Sequence, residues 1–151
     1  MKNVKTLSNF LFGMAILLSV VTFSNCGGGG DPEPAQTEVE KTRTTLTSSA
    51  WKIQTSTVDG ADQLGLFKNF TITFTTAGFT TTNGGAVWPT TGTWSFVDDT
   101  AKSFKRDDGI VVAIDTITET GLTLSLTWTK TTFGGGRTAS ISGKNVFVFG
   151  K

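Results

Sequence analysis

From Trp51 onward, apolar and hydroxyl side chains alternate with a period of two, and no other feature of the chain constrains its fold as tightly. In Phe70-Thr71-Ile72-Thr73-Phe74-Thr75 and in Leu122-Thr123-Leu124-Ser125-Leu126-Thr127-Trp128, large apolar groups fall on one face and hydroxyls on the other. A helix would scatter this pattern around its axis, whereas an extended strand sorts it into a dry face and a wet one. The wet positions are largely Thr: the chain has 29, of which 27 follow Cys26. A β-branched hydroxyl residue suits a strand that is solvated on one side.

These two runs set the inward register, and six less regular runs share it. The spacing predicts strands at 51–58, 70–75, 79–83, 92–97, 103–106, 110–117, 122–128 and 138–149. Ala77-Gly78, Asp98-Asp99, Asp107-Asp108-Gly109 and Thr120-Gly121 fall between them as tight turns, and Gly143 reads as a bulge or bend within the last strand. The domain, residues 49–151, is therefore expected to be all-β. Eight sequential antiparallel strands close into an up-and-down barrel or stack as a sandwich. Closure removes exposed edges, and the even hairpin spacing favours the eight-stranded barrel. Its interior candidates are Phe70, Ile72, Phe74, Trp94, Phe96, Leu124, Leu126 and Trp128.

The segment before the domain has a different character. Met1 to Lys5 carries two Lys, and residues 7–23 are mostly apolar, as in a secretory leader of residues 1–25. A spanning helix needs about 20 apolar residues, and here Ser8, Asn9, Ser19 and Thr22 interrupt the run. Residues 26–48 are Gly, Pro, Glu, Gln and Thr around few apolar groups, the composition of a flexible tether. About 20 such residues reach on the order of 25 Å. Within it, Thr37 and Glu40 have capping-box spacing, so a short helix to about Leu46 and continued linker are both open.

Cys26, directly after the apolar run and before Gly27 to Gly30 and Asp31-Pro32-Glu33-Pro34, resembles the processing site of bacterial lipoproteins. The resemblance implies cleavage before Cys26, acylation of its sulfur with a palmitate-class chain, and acylation of the new amino terminus. Two or more chains make anchoring stable. Gly27, Asp31 and Glu33 resemble the tether starts of Bacteroidetes lipoproteins, which implies an outer-membrane location, often on the cell surface. Trp51-Lys52-Ile53, the 70–75 run, Gly92-Thr93-Trp94-Ser95-Phe96, Leu122-Thr123-Leu124 and the Phe-rich last strand resemble the lipocalin-like domains of such lipoproteins. Ser49 stands where the lipocalin signature has Gly. The signature's late Arg packs over the first Trp, a place that Arg137 cannot reach in this strand order, whereas Phe149 and Lys151 neighbour Trp51.

Alternating strand directions put the short connections at the end where the first strand starts. The long ones, 59–67, 84–90 and 129–136, lie at the other end with the Asp107-Asp108-Gly109 turn. The long loops carry Leu66, Phe67, Trp88 and Phe133, and Arg137 follows directly after the last of them. One reading makes these a ligand mouth around a hollow barrel; the other folds them inward as a plug over a filled one. Trp88 with Pro89, if exposed, offers a stacking surface for a sugar ring, and Arg137 could stack on Trp128.

Composition removes most catalytic chemistry. There is no His and one Cys, which excludes His-dependent triads, His or Cys₄ metal sites and disulfide scaffolds. Asp98-Asp99 and Asp107-Asp108 lack the alternating spacing of a calcium loop, Asp115 and Glu119 lie merely near a turn, and Gly134 to Gly136 lack the Lys of a phosphate loop. Beyond the leader, 11 basic residues face 12 acidic ones, which gives nucleic acid no purchase. The expectation is a non-enzymatic, lipid-anchored barrel without a cofactor that binds a small apolar or amphipathic ligand. The alternative is a filled barrel serving as an interaction module in an outer-membrane or surface assembly of protein or glycan.

Overall fold

The computed structural model describes residues 35–130 and 141–151. Cys26, Phe133 and Arg137 lie outside these residues, as do the leader and the tether up to Pro34. Ala35–Lys151 forms one compact unit.

Eight antiparallel strands close into a barrel. They are β1 (Ala50–Val58), β3 (Thr71–Phe74), β4 (Gly78–Thr82), β5 (Thr91–Phe96), β6 (Ser103–Arg106), β7 (Val111–Ile117), β8 (Gly121–Trp128) and β9 (Gly143–Gly150), each paired with the next and β9 with β1. All eight strands read from the alternation are present. The closing seam runs from Lys52 opposite Gly150 to Val58 opposite Asn145, with a register shift between Ile53 and Thr55. A second shift, between Ile114 and Thr116, interrupts the β7–β8 ladder.

The seam brings Lys151 beside Trp51, its ammonium 4.9 Å from the ring centroid. The basic residue over the first Trp is thus the chain's last one, in line with the neighbourhood expected from strand order.

Gly143 departs from expectation: it opens β9 rather than bending it, at φ +132°. A Cβ there would stand 2.2 Å from the Asp59 carboxylate, which accepts the Lys144 backbone N–H at 2.8 Å. The backbone must approach the carboxylate closely, and only glycine permits that at positive φ.

One strand was not foreseen. Asp59 and Gly60 take φ of +48° and +84°, the paired positive values of a tight hairpin turn, and return the chain as β2 (Ala61–Asp62) against the end of β1. A 3₁₀ turn, Leu64–Phe67, follows and carries Phe67 into the core, where it is 1% exposed.

Both ends of the barrel are covered. At the short-turn end lies helix α1 (Glu38–Thr47), started by a reciprocal capping box: Glu40 N–H donates to Thr37 Oγ1 at 3.2 Å, and Thr37 N–H to Glu40 Oε2 at 2.9 Å. The helical alternative for this stretch is the one observed, and the helix belongs with the barrel rather than with the tether. Leu46 is fully buried, and its carbonyl accepts the Trp51 indole N–H at 2.9 Å. Arg43 lays its guanidinium 5.1 Å and 5.2 Å from the ring centroids of Trp94 and Phe96, and donates to the Thr76 carbonyl in the β3–β4 turn. The short turns repeat one device. Thr75 and Thr118 each bond through their hydroxyls and backbone to the glycine three residues on, Gly78 and Gly121.

The interior is filled with rings. Phe70, Ile72, Phe74, Trp94, Leu124, Leu126 and Trp128 are all at most 5% exposed, and Phe96 packs partly buried against them. Phe70 is central: its ring centroid lies 6.1, 6.0, 5.9 and 5.3 Å from those of Phe67, Trp88, Phe147 and Phe149. The contacts with Phe147 and Phe149 are edge-to-face, and such pairs add about 0.5–1.5 kcal/mol each beyond the burial of their area.

Candidate functional site

The long-loop end is where the mouth and the plug must be told apart. Trp88 is 1% exposed and Phe67 1%, with Leu66 packed partly buried against the same cluster. Trp88 therefore cannot offer the exposed sugar-stacking face, with Pro89, expected of it: it sits inside, edge-on to Phe79 at 5.8 Å and to Phe147 at 6.0 Å. Among the described loop residues, the structure brings Leu66, Phe67 and Trp88 together as a plug. Phe133 and Arg137 lie outside the described residues, so the Arg137–Trp128 stack does too. Among the described residues it is Lys130 that stands over Trp128, its ammonium 5.4 Å from the ring centroid.

The local backbone explains how Trp88 gets inside. Asn83 and Gly85 both have positive φ, and the Trp88 N–H donates to the Gly84 carbonyl at 3.1 Å, closing one helical turn. A Cβ on Gly84 would lie 2.5 Å from the Trp88 Cβ. The glycine pair thus folds the loop back on itself and drives the indole down into the barrel rather than hinging it outward.

A residue that sequence reasoning passed over holds this loop. Arg106, opposite Trp94 in the β5–β6 ladder, points into the barrel and is 2% exposed. Its Nη1 donates to the Val87 carbonyl at 2.9 Å, and its Nε donates to Asp108 Oδ1 at 3.1 Å while Nη2 donates to Oδ2. The guanidinium carbon lies 4.8 Å from the Trp88 ring centroid and 6.0 Å from that of Phe79. One side chain thereby joins the β6–β7 turn, the 84–90 loop and the aromatic core. The signal was available in Phe104-Lys105-Arg106, where period two places Arg106 on the same face as the fully buried Phe104.

Asp108 is held below the usual carboxylate range. Burial is the largest single influence and pushes it up, but the Arg106 hydrogen bonds, the Ile110 N–H and the charges of Arg106 and Lys130 together outweigh it. A carboxylate depressed in the folded state adds stability that is complete above its unfolded value, about 4, and is lost as pH falls through its folded value. The difference in unfolding free energy between wild type and Asp108→Asn should therefore stay flat from pH 7 to pH 5 and shrink below about pH 4. Urea titrations across pH 2–7 measure it; a difference that stays constant down to pH 2 would mean that Asp108 is not held by this pair.

Outside the plug, a cleft of about 400 Å³ opens on the rim. Its lining includes Ala86, Pro89 and Thr91 from the 84–90 loop and the start of β5, and Arg106, Asp107 and Asp108 from the end of β6 and the turn after it. Trp128 and Lys130, at the end of β8, complete it. Among the described residues, the buried indole N–H groups of Trp128 and Trp88 meet no hydrogen-bond partner. Asn145, opposite Leu126 in the β8–β9 ladder, leaves its Oδ1 unpartnered, and Ser56, opposite Phe147, its Oγ, although the Asn145 amide donates to the carbonyls of Ile141 at 2.9 Å and Gly143 at 3.1 Å. Each such buried group costs on the order of 1–3 kcal/mol while unsatisfied. Among the described residues, a fifth buried group without a partner, the Ser49 hydroxyl, lies at the opposite end beside the start of β1, so such groups occur at both ends of the barrel. The other two indoles are bonded: Trp51 to Leu46, and Trp94 to the carbonyls of Thr75 and Gly78 at 3.1 Å. Neither a protein-family model nor a curated protein matches this chain.

Proposed function

We propose that this chain is a lipid-anchored, non-enzymatic protein of the cell envelope, held at the outer membrane through Cys26, whose barrel carries a small-ligand site on its long-loop rim rather than in its interior. The observation that supports this reading is the rim cleft itself. It combines about 400 Å³ of volume with a lining that joins Ala86, Pro89 and the edge of Trp128 to the charged Asp107, Asp108 and Lys130, while the barrel behind it is packed with Phe and Trp side chains. Ligand sites typically span about 300–1,000 Å³ and pair apolar walls with a few placed polar groups, so the cleft suits one small amphipathic molecule.

Native and denaturing mass spectrometry of the full protein, purified from its own host, test the reading together. Acyl chains on a peptide beginning at Cys26 should persist under denaturation, and a further mass should appear in the native spectrum alone. An unmodified Cys26 would remove the anchor; a bare native mass would remove the ligand.

The filled interior also favours a second reading, an interaction module that works through its surface. Under that reading the native spectrum shows no small adduct, and one defined envelope protein or glycan stays bound in stoichiometric amount.

A further inference from the structure

We infer that the outer wall of β6–β9 docks on a second copy of this chain, the two walls packing face to face about a two-fold axis that runs across the strands. The inference is independent of the rim cleft. Strand register places the surface. Val97 donates its N–H to the Ser103 carbonyl at 3.1 Å, and Ser103 stands opposite Ala113, Ala113 opposite Ser125, and Ser125 opposite Val146. Residues opposite one another in a ladder share a face, and these alternate along their strands with the buried Phe104, Val112, Leu124 and Phe147, so the row points outward. Two residues before Ala113 lies Val111, which with Val97 is the most exposed large apolar side chain among the described residues, at 49% and 51%. A groove of about 200 Å³ lies on this wall, with Val111, Ala113, Ser125, Thr127 and Lys144 in its lining. Ser125 faces outward yet is only 5% exposed, so the middle of the wall is a dip between its neighbours.

Charge chooses the occupant. Strands β6 to β9 carry three exposed charges: Lys105 and Lys144 on the long-loop side of the row, and Asp115 at the β7 bulge on its other side. The described turns bordering the wall carry both signs at either end and set no direction. A wall that is positive above, negative below and uncharged between fits itself upside down. Rotation about the Ala113–Ser125 row lays the Lys-bearing half of one wall on the Asp115-bearing half of the other, twice over, as an isologous contact requires. An axis along the strands would instead set Lys on Lys, which is repulsive. A wall four strands wide is about 20 Å across at about 4.8 Å per strand, so the contact falls among the small specific interfaces, about 1,200 Å² or less in total. Small side chains suit such a contact, since they let two sheets approach to about 10 Å.

Cross-linking of the full protein in cells of its own host reads the contact. Ala113→Cys lies on the axis and is treated with a short bismaleimide. Thr80→Cys, on the exposed face of β4 away from this wall, is the control, and protein with Cys26 alone gives the background. Ala113→Cys should yield a species of twice the protomer mass well above both. Adding Val111→Glu should cut that yield about tenfold or more, since it sets a carboxylate in the contact. Lys105→Glu and Asp115→Lys should each cut it about threefold, and the two together should restore it to within about twofold of the parent. Recovery on exchange is the mark of a wall that meets itself, because a foreign partner would not regain both charges. Denaturant midpoints equal to the parent's show that each variant is folded; if Ala113→Cys is not, Val146→Cys, on the same row, carries the series. A yield no higher than that of Thr80→Cys, a product containing a different protein, or a double exchange as weak as its single changes would each overturn the second copy as occupant.

Discussion

Arg106→Ala should destabilise the protein by about 3 kcal/mol or more, the range found when one partner of a buried ion pair is removed. The side chain is fully buried and serves three neighbours at once: the Val87 carbonyl at 2.9 Å, both oxygens of Asp108, and the Trp88 ring at 4.8 Å. Removing it leaves a carbonyl without its donor and a carboxylate without its cation, with a cavity beneath the 84–90 loop. For a domain of this size the loss corresponds to a fall in Tm of about 10 °C or more. A companion variant separates charge from shape. In Arg106→Met with Asp108→Leu, the apolar stem is retained and no unpaired charge remains, so much of the loss should be recovered. Urea unfolding of the full chain, followed by tryptophan fluorescence, reads both. A loss under about 1 kcal/mol for Arg106→Ala would mean that the guanidinium is solvated and the loop is held by other means.

The same residue shows where sequence reading stopped. Alternation alone carried the architecture, because a strand's inward face has only one consistent register: Phe70, Ile72 and Phe74 had to be inside, and Ile72 and Phe74 with them set the register of Trp51 and Phe79 across the ladder. The capping box was equally local, since Thr37 and Glu40 satisfy each other within one turn. Arg106 obeyed the same alternation as Phe104 but carries a charge, and a charge is placed outside unless its partners are known. Those partners are a carbonyl 19 residues away in a loop and a carboxylate in the following turn, which no periodicity encodes.

The Asp59-Gly60 hairpin was legible in principle, as this dipeptide favours paired positive φ, yet it was absorbed into a long connection because β2 is only two residues long. The rim cleft is harder still. It gathers Pro89, Arg106, Asp107 and Trp128 from three separate connections and strand ends, and only barrel closure makes them neighbours. Trp88 illustrates the converse: a large aromatic residue beside Pro in a glycine-rich loop has the composition of a binding surface, and the direction of its side chain is decided by backbone geometry at Gly84 and Gly85.

Replacing that indole gives the clearest choice between mouth and plug. Trp88→Ala should cost about 3–5 kcal/mol, the range for truncating a buried Trp, because the ring is 1% exposed and packs on Phe70, Phe79 and Phe147 with centroids 5.8 to 6.0 Å away. It also shields the Arg106 guanidinium, so its loss weakens the pair with Asp108 as water enters. A mouth residue would behave in the opposite way, since removing an exposed aromatic group changes stability by no more than about 0.5 kcal/mol while reducing ligand affinity. Trp88→Phe refines the reading. It keeps most of the packing and deletes an indole N–H that has no partner, so the cost should be well under half that of the alanine variant. Denaturant midpoints of the three proteins, compared at constant m-value, measure both differences. If Trp88→Ala unfolds at the wild-type midpoint, the indole spends its time outside the barrel, the interior is open at the long-loop end, and the ligand belongs there instead of on the rim.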